Sequence, residues 1–199
     1  MKIRMYEAVY KNVRIRPLEH EDIEKLRVWR NDKEKTKFLR DIGIITPQMQ
    51  NRWFENYLKR SDEVIFAIEE IRELNRVVGS LSLYDFIDDI AEIGKIQIGD
   101  TQANGKGIGR VSLVMAMLIG FQKLGLNKII ASVNPENVSA YKNDIKIGFE
   151  ICGQHDFMNG IEYELFMNYE KLSKTNEYLS EIKVMEYDST KNKRGLGDL

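Results

Sequence analysis

Hydrophobic and polar positions in this chain alternate in short runs, then shift to helical spacing, and the shift recurs several times. Val13 and Ile15 alternate with Arg14 and Arg16 before Pro17, which predicts a half-buried strand ended by proline. In RPLEHEDIEKLRVWRND, Ile23, Leu26 and the Val28–Trp29 pair recur at helical spacing behind acidic residues that suit a helix N-terminus. Thr46 followed by Pro47 marks a second helix start, and Met49, Trp53, Phe54, Tyr57 and Leu58 form its apolar face. Val64 to Glu69 and Arg76 to Leu83 are β-rich runs joined by a charged connector and predict an antiparallel pair. Tyr84 to Ile90, with its three aspartates, reads as a loop.

The second half is more sharply punctuated. A strand over Glu92 to Ile98 runs into a turn with glycines at Gly105, Gly107 and Gly109, and a helix follows from about Arg110 to Leu124. Val111, Leu113, Val114, Met117, Leu118 and Phe121 make that helix apolar on most sides, as burial against a sheet requires, and Gly125 closes it. Lys128 to Val133 is a further strand, so strand, turn, helix and strand form a βαβ unit. A helix fits Asn137 to Ile147 and ends at Gly148; Phe149 to Met158 and Ile161 to Tyr169 then flank Asn159–Gly160, a hairpin signal. Leu172, Leu179, Ile182 and Met185 predict one last helix, and Asp188 to Leu199 a polar tail. The division expected is one domain over residues 1–170 and a C-terminal helix with tail over 171–199.

Composition narrows the function classes. Thirty Lys plus Arg stand against 31 Asp plus Glu, so no basic field points to nucleic acid or an acidic membrane. A single cysteine, Cys152, excludes an intramolecular disulfide framework and a multi-cysteine zinc site; it suits a reducing cytoplasm, and no metal is expected. Cys152 itself reads as a small buried hydrophobe. No run of about 18 apolar residues occurs, so a soluble protein is expected.

The glycine turn is an anion cradle in outline. Glycines let the backbone approach a ligand, and the helix behind them aims unpaired N–H groups and its positive dipole end into the turn. A P-loop is excluded because Gly107 follows Lys106, and a G-x-G-x-x-G fingerprint is excluded because Arg110 and Ser112 stand at its last position. Gln102-Ala103-Asn104-Gly105-Lys106-Gly107 does fit Q/R-x-x-G-x-G/A, the pattern of the GCN5-related N-acetyltransferases (GNAT), which the chain resembles. Ala91-Glu92-Ile93-Gly94 resembles that family's central strand, and Asn137, Ala140 and Gly148–Phe149 stand at its N-x-x-A…G-F spacing. A helix N-terminus without a ligand is the structural alternative.

The resemblance implies a mixed α/β fold: a mostly antiparallel sheet of about seven strands, helices on both faces, and a parallel splay between the fourth and fifth strands. It implies acetyl-CoA as co-substrate, with the pyrophosphate held by Gln102, Asn104, Gly105, Lys106, Gly107, Ile108, Gly109 and Arg110. Ile96, Gln97 and Ile98 would pair with the pantetheine arm, with an oxyanion donor N–H near Ile96 or Gln97, and Asn137 would flank the site. Glu92 is the candidate general base, with a solvated Glu as the alternative. The family's thiolate-protonating Tyr stands seven residues after the helix Asn, and here that position is Asp144. An ionised Asp cannot donate a proton. Tyr141 lies near the same helical face and is the substitute donor; proximity alone, with water supplying the proton, is the third option.

For the acceptor, Trp29, Arg30 and Asn31 with Phe38 and Trp53 resemble members that acetylate amino sugars on nucleotide carriers. The opening IRPLEHEDI resembles N-terminal-amine and aminoglycoside acetyltransferases. Trp29, Asn31 and Asp85 are the substrate-binding candidates, Asp85 through attraction of a cationic amine. His20 and His155 read as structural or surface groups. The leading expectation is direct acetyl transfer to a primary amine of a small molecule such as an amino sugar, aminoglycoside or polyamine. The alternatives are N-terminal protein acetylation, a CoA-binding sensor and a module for another pyrophosphate. A homodimer is implied by family likeness only.

Overall fold

The computed structural model describes residues 4–38, 42–157 and 160–190. Its scaffold is one mixed sheet with helices on both faces. The chain enters as a hairpin, β1 (Tyr6–Tyr10) and β2 (Val13–Pro17), turned through Lys11 at φ 53°. Helices α1 (Ile23–Arg30) and α2 (Pro47–Lys59) follow, the second started by Thr46, whose side chain accepts from the Met49 amide. Strands β3 (Glu63–Glu70), β4 (Arg76–Ile87) and β5 (Ile90–Ile98) form an antiparallel meander. Helix α3 (Ile108–Lys123) crosses to β6 (Lys128–Val133), which pairs parallel with β5. Then come α4 (Val138–Ile147), the hairpin β7 (Glu150–Phe157) and β8 (Gly160–Met167), α5 (Tyr169–Thr175) and a short β9 (Lys183–Glu186).

The spatial order is β7-β8-β6-β5-β4-β3-β2-β1-β9, nine strands where about seven are expected. The two additions are β1 and β9, which pair with each other, Ala8 opposite Val184. In place of one helix over Leu172 to Met185 there are α5, a 3-10 turn at Glu177–Glu181 and β9. Four residues at an edge, two of them charged, carry too little periodicity to announce a strand. The expected loop over Tyr84 to Ile90 is instead the tip of the β4–β5 hairpin, accommodated by register shifts and by positive φ at Asp85 and Asp88. Asn159 and the tail from residue 191 lie outside the described residues; the strands of the hairpin they were read with do pair, Phe157 opposite Gly160.

Two cores flank the sheet. On one face α3 lies buried over β1 to β6, and Met115, Met117, Leu118 and Ile119 are each 1% exposed or less. Burial of each such side chain contributes about 2 kcal/mol against exposure. On the other face α1 and α2 set Trp29, Phe54 and Tyr57 against Ile65, Ala67 and Val77. Arg14 and Arg16, expected on a solvated face, are 8% and 4% exposed beneath this layer. They stay charged there because Glu69, Asp22 and Glu7 surround them. No helix among the described residues is long and apolar enough to cross a membrane.

Candidate active site

The site lies where β5 and β6 separate. Their pairing covers Ile90 to Glu92 against Lys128 to Ile130 and then stops, although β5 continues to Ile98 and β6 to Val133. Beyond Glu92, β5 therefore keeps an edge open to another extended chain. A register shift against β4, with Lys95 at φ 52°, turns Ile96 and Ile98 toward α3 and Gln97 toward the opposite face. Gln97 is used there: its Nε2 donates to the Trp29 carbonyl at 3.0 Å.

The glycine turn behaves as a braced loop in front of α3. Asp100 accepts from the Gln102 amide at 3.0 Å, and Arg76 ties down both Asp100 Oδ2 and Gln102 Oε1 at 2.6 Å. Gln102 thus fixes the loop through its side chain. Gly107 is the N-cap of α3 in a left-handed conformation, φ 74°, that a Cβ would strain. The first helical bond, Val111 N to Gly107 O, leaves the amides of Ile108, Gly109 and Arg110 without intrahelical acceptors. The Arg110 guanidinium folds back beside Gly107, its Nη2 3.8 Å from where a Cβ would stand. Gly105 and Asn104 are exposed at the loop tip, and Lys106 holds Glu73 at 2.8 Å. Backbone donors, a guanidinium and a lysine around a glycine turn fit an anionic diphosphate. Asn137 caps α4 by accepting from the Ala140 amide at 3.3 Å.

On the opposite face of the sheet a cleft of about 1050 Å³ runs from α2 across β4, β5 and β6 to the β7–β8 hairpin. Phe38, Ile42, Met49 and Trp53 form its apolar end. Glu92 faces the cleft at the point where the strands part, and its Oε1 accepts from the Tyr84 hydroxyl at 2.6 Å. Burial and the bonded Glu92 carboxylate push the Tyr84 hydroxyl far above the ordinary tyrosine range. The hairpin adds Glu162, Glu164 and His155, with His155 Nδ1 3.2 Å from Glu164 and Nε2 3.7 Å from Glu162. Burial raises the Glu162 carboxyl; His155 opposes this and Glu92 adds to it. Tyr84, Glu162 and Glu164 are absent from the sequence candidates, and His155 reads there only as a structural or surface group. Tyr84 sits in a span whose aspartates suggest a loop, and the cluster forms only by cross-strand pairing, His155 opposite Glu162.

The proton-donor candidates stand on the inward stripe of α4. Tyr141 packs its ring on Tyr163, centroids 5.7 Å apart. Asp144 is one turn further, and among the described residues no cation or hydrogen-bond donor reaches its carboxyl. Burial pushes it up to about 7, so the ionised acid expected from the sequence is instead about half protonated near neutral pH.

Two acceptor candidates make contacts that tie elements of the fold together. Trp29 is 9% exposed and lies on Gly99, where a Cβ would come within 1.9 Å of the ring. Asn31 bonds the Ile45 backbone twice, at 2.8 and 2.9 Å, and so ties the end of α1 to the start of α2. Asp85 is exposed beside the cleft mouth and does not line it. Cys152, expected to be buried, is exposed and lines the hairpin end of the cleft. His20 is outside the cleft, edge-on to Phe54. No group of three or more His, Cys, Asp or Glu suited to a metal ion occurs among the described residues.

Solved structures share this architecture. A spermidine N-acetyltransferase from Vibrio cholerae, in complex with CoA and spermine, superposes with a TM-score of 0.71 at 20% identity over 81% of this chain and 98% of that one. A domain from Methanocaldococcus jannaschii matches at 0.63 and 29% identity over 78% of this chain and 97% of its own. A nucleotide-linked sugar GNAT in its apo form matches at 0.72 and 19% identity over 85% and 94%. The family model for the acetyltransferase (GNAT) domain matches residues 12–150, which span the sheet from β2, the braced loop and α3 and α4. The chain therefore belongs to the GNAT acetyltransferase family.

Proposed function

We propose that the protein transfers the acetyl group of acetyl-CoA to a primary amine on a cationic small molecule. One observation carries this reading: Glu92 stands in the cleft at the residue where β5 and β6 part, beside Glu162 and Glu164, which have His155 and no Lys or Arg among the described residues at ion-pair distance. The amides of Ile108 to Arg110, with Arg110 and Lys106, hold the diphosphate, and the open edge of β5 at Ile96 to Ile98 aligns the pantetheine. Acetyl-CoA supplies the activated acyl group. Exchange of its C–S bond for a C–N bond needs one proton removed from the ammonium and one given to the departing sulfur. Glu92 removes the first as general base. The second comes from the inward stripe of α4, where Tyr141, its ring packed on Tyr163, and Asp144 are the two candidates.

The similar structures include one bound to spermine and a nucleotide-linked sugar GNAT, and Glu92, Glu162 and Glu164, with which no Lys or Arg among the described residues pairs, favour the more cationic acceptor. Calorimetry with acetyl-CoA, CoA, ATP and NAD tests the first half of the proposal: tight binding of the CoA species alone is expected, and binding of ATP or NAD without CoA sinks it. A thiol-release assay over polyamines, aminoglycosides, amino sugars and peptides with free N-termini tests the second. Turnover confined to peptides would replace the small-molecule acceptor with a protein one, and binding without turnover would leave a CoA sensor.

A further inference from the structure

We infer that Tyr84 is a positioning residue for acyl transfer: its hydroxyl lies across Gly94 and donates to Glu92, fixing that carboxylate toward the cleft. The inference rests on the assignment of Glu92 as general base. Tyr84 on β4 is the direct cross-strand partner of Glu92 on β5, and its hydroxyl donates to Glu92 Oε1 at 2.6 Å. It reaches there through space that Gly94 leaves empty. A Cβ on Gly94 would stand 3.1 Å from the Tyr84 hydroxyl and 3.6 Å from Cε1. The glycine of Ala91-Glu92-Ile93-Gly94 is thereby explained as room for a phenol.

The ring is held as well as the hydroxyl. Lys95 Nζ sits 3.8 Å from the ring centroid and bonds Glu63 at 2.7 Å, and Glu63 also pairs with Arg60 at 3.2 Å. The phenol is clamped from β5 and braced from β3. The charged and titratable groups that line the cleft with Glu92 and Tyr84 are Glu162 and Glu164 from β8, His155 and Cys152 from β7, Lys128 from β6, Lys95 from β5 itself, Glu63 from β3, and Arg30 and Arg60. Glu162 repels the Glu92 charge. The hydrogen bond donated by Tyr84 counters that repulsion at the Glu92 carboxylate. The hydroxyl is held well above the ordinary tyrosine range, so it remains a donor throughout the pH range in which the enzyme is assayed.

The test is the pH profile of kcat/KM. Tyr84→Phe is expected to move the acid limb up by about one pH unit, a hydrogen bond to a charged group being worth about that much, and to recover most of the rate on the alkaline plateau. Gly94→Ala is expected to move it the same way by pushing the hydroxyl aside. Acetyl-CoA affinity, read by calorimetry, should be unchanged in both. A profile that falls uniformly, or not at all, in both variants overturns the inference. Glu92→Gln separates the two assignments: loss of the acid limb there with no shift in Tyr84→Phe sinks only the role of Tyr84. Persistence of the acid limb in Glu92→Gln removes Glu92 as base, and Tyr84 with it.

Discussion

At the β1–β3 end of the sheet Glu69 accepts from Arg14 Nη1 at 3.2 Å and from Arg16 Nε at 2.9 Å, and Asp22 takes both Arg16 Nη groups at 2.7 and 2.9 Å. At the β5–β8 end of the same face Glu92 has a phenol, and Glu162 and Glu164 share a histidine. Both ends carry a similar number of carboxylates. At one end guanidinium forks answer them, so the ions are internal structure; at the other, no Lys or Arg among the described residues comes within ion-pair distance of Glu92, Glu162 or Glu164. A carboxylate left short of cations beside an open cleft is available to a cation from outside. Its charge has not been spent within the fold.

Removing one carboxylate from each end should therefore give opposite failures. Glu69→Gln breaks a buried network and leaves two guanidinium groups short of an anion, which should cost about 3–5 kcal/mol in denaturant unfolding. The kinetics of whatever remains folded should be near wild type. Glu92→Gln should lower kcat/KM by roughly a hundredfold or more while unfolding changes little. Loss of stability in Glu92→Gln matching that of Glu69→Gln would erase the distinction between the two ends.

Asp144 sharpens the contrast as a carboxyl with neither guanidinium nor cleft. Its folded value of about 7 lies above the ordinary 3.8, so the fold favours the neutral acid. The resulting penalty is absent below pH 4, builds as pH rises from about 4 to 7, and is fully present above 7. Asp144→Asn should then be more stable than wild type by a few kcal/mol at pH 8 and no more stable at pH 4. If Asp144 also protonates the departing sulfur, kcat at neutral pH should fall about tenfold in the same variant. Greater stability with unchanged kcat would leave Asp144 a buried group without a catalytic part and return attention to Tyr141.

What could be read from the sequence was whatever is encoded by local spacing. The glycine turn and the Asn137-to-Gly148 helix each occupy fewer than about 20 consecutive residues, and the βαβ unit joins neighbouring segments from Glu92 to Val133, so period and punctuation suffice to find them. β9 could not be found that way, because its four residues become a strand only by pairing with β1, more than 170 positions earlier. Arg14 and Arg16 follow an alternating pattern that usually means solvent on one face; their burial depends on Glu69 and Asp22 arriving from elsewhere. Trp29 and Asn31 have the residue types of a binding site, yet Gly99 and the Ile45 backbone claim them. Tyr84, His155, Glu162 and Glu164 are scattered over 80 positions and meet only across strands.

The contact of Trp29 with Gly99 has a mechanical consequence. Gly99 is the residue between the end of β5 and Asp100, where the braced loop begins, and Trp29 belongs to α1 on the acceptor side. The indole works as a dowel through both halves of the site. α1 cannot slide along the sheet without either shearing off the dowel or dragging the root of the glycine loop with it, so a load placed on α1 is delivered to that loop.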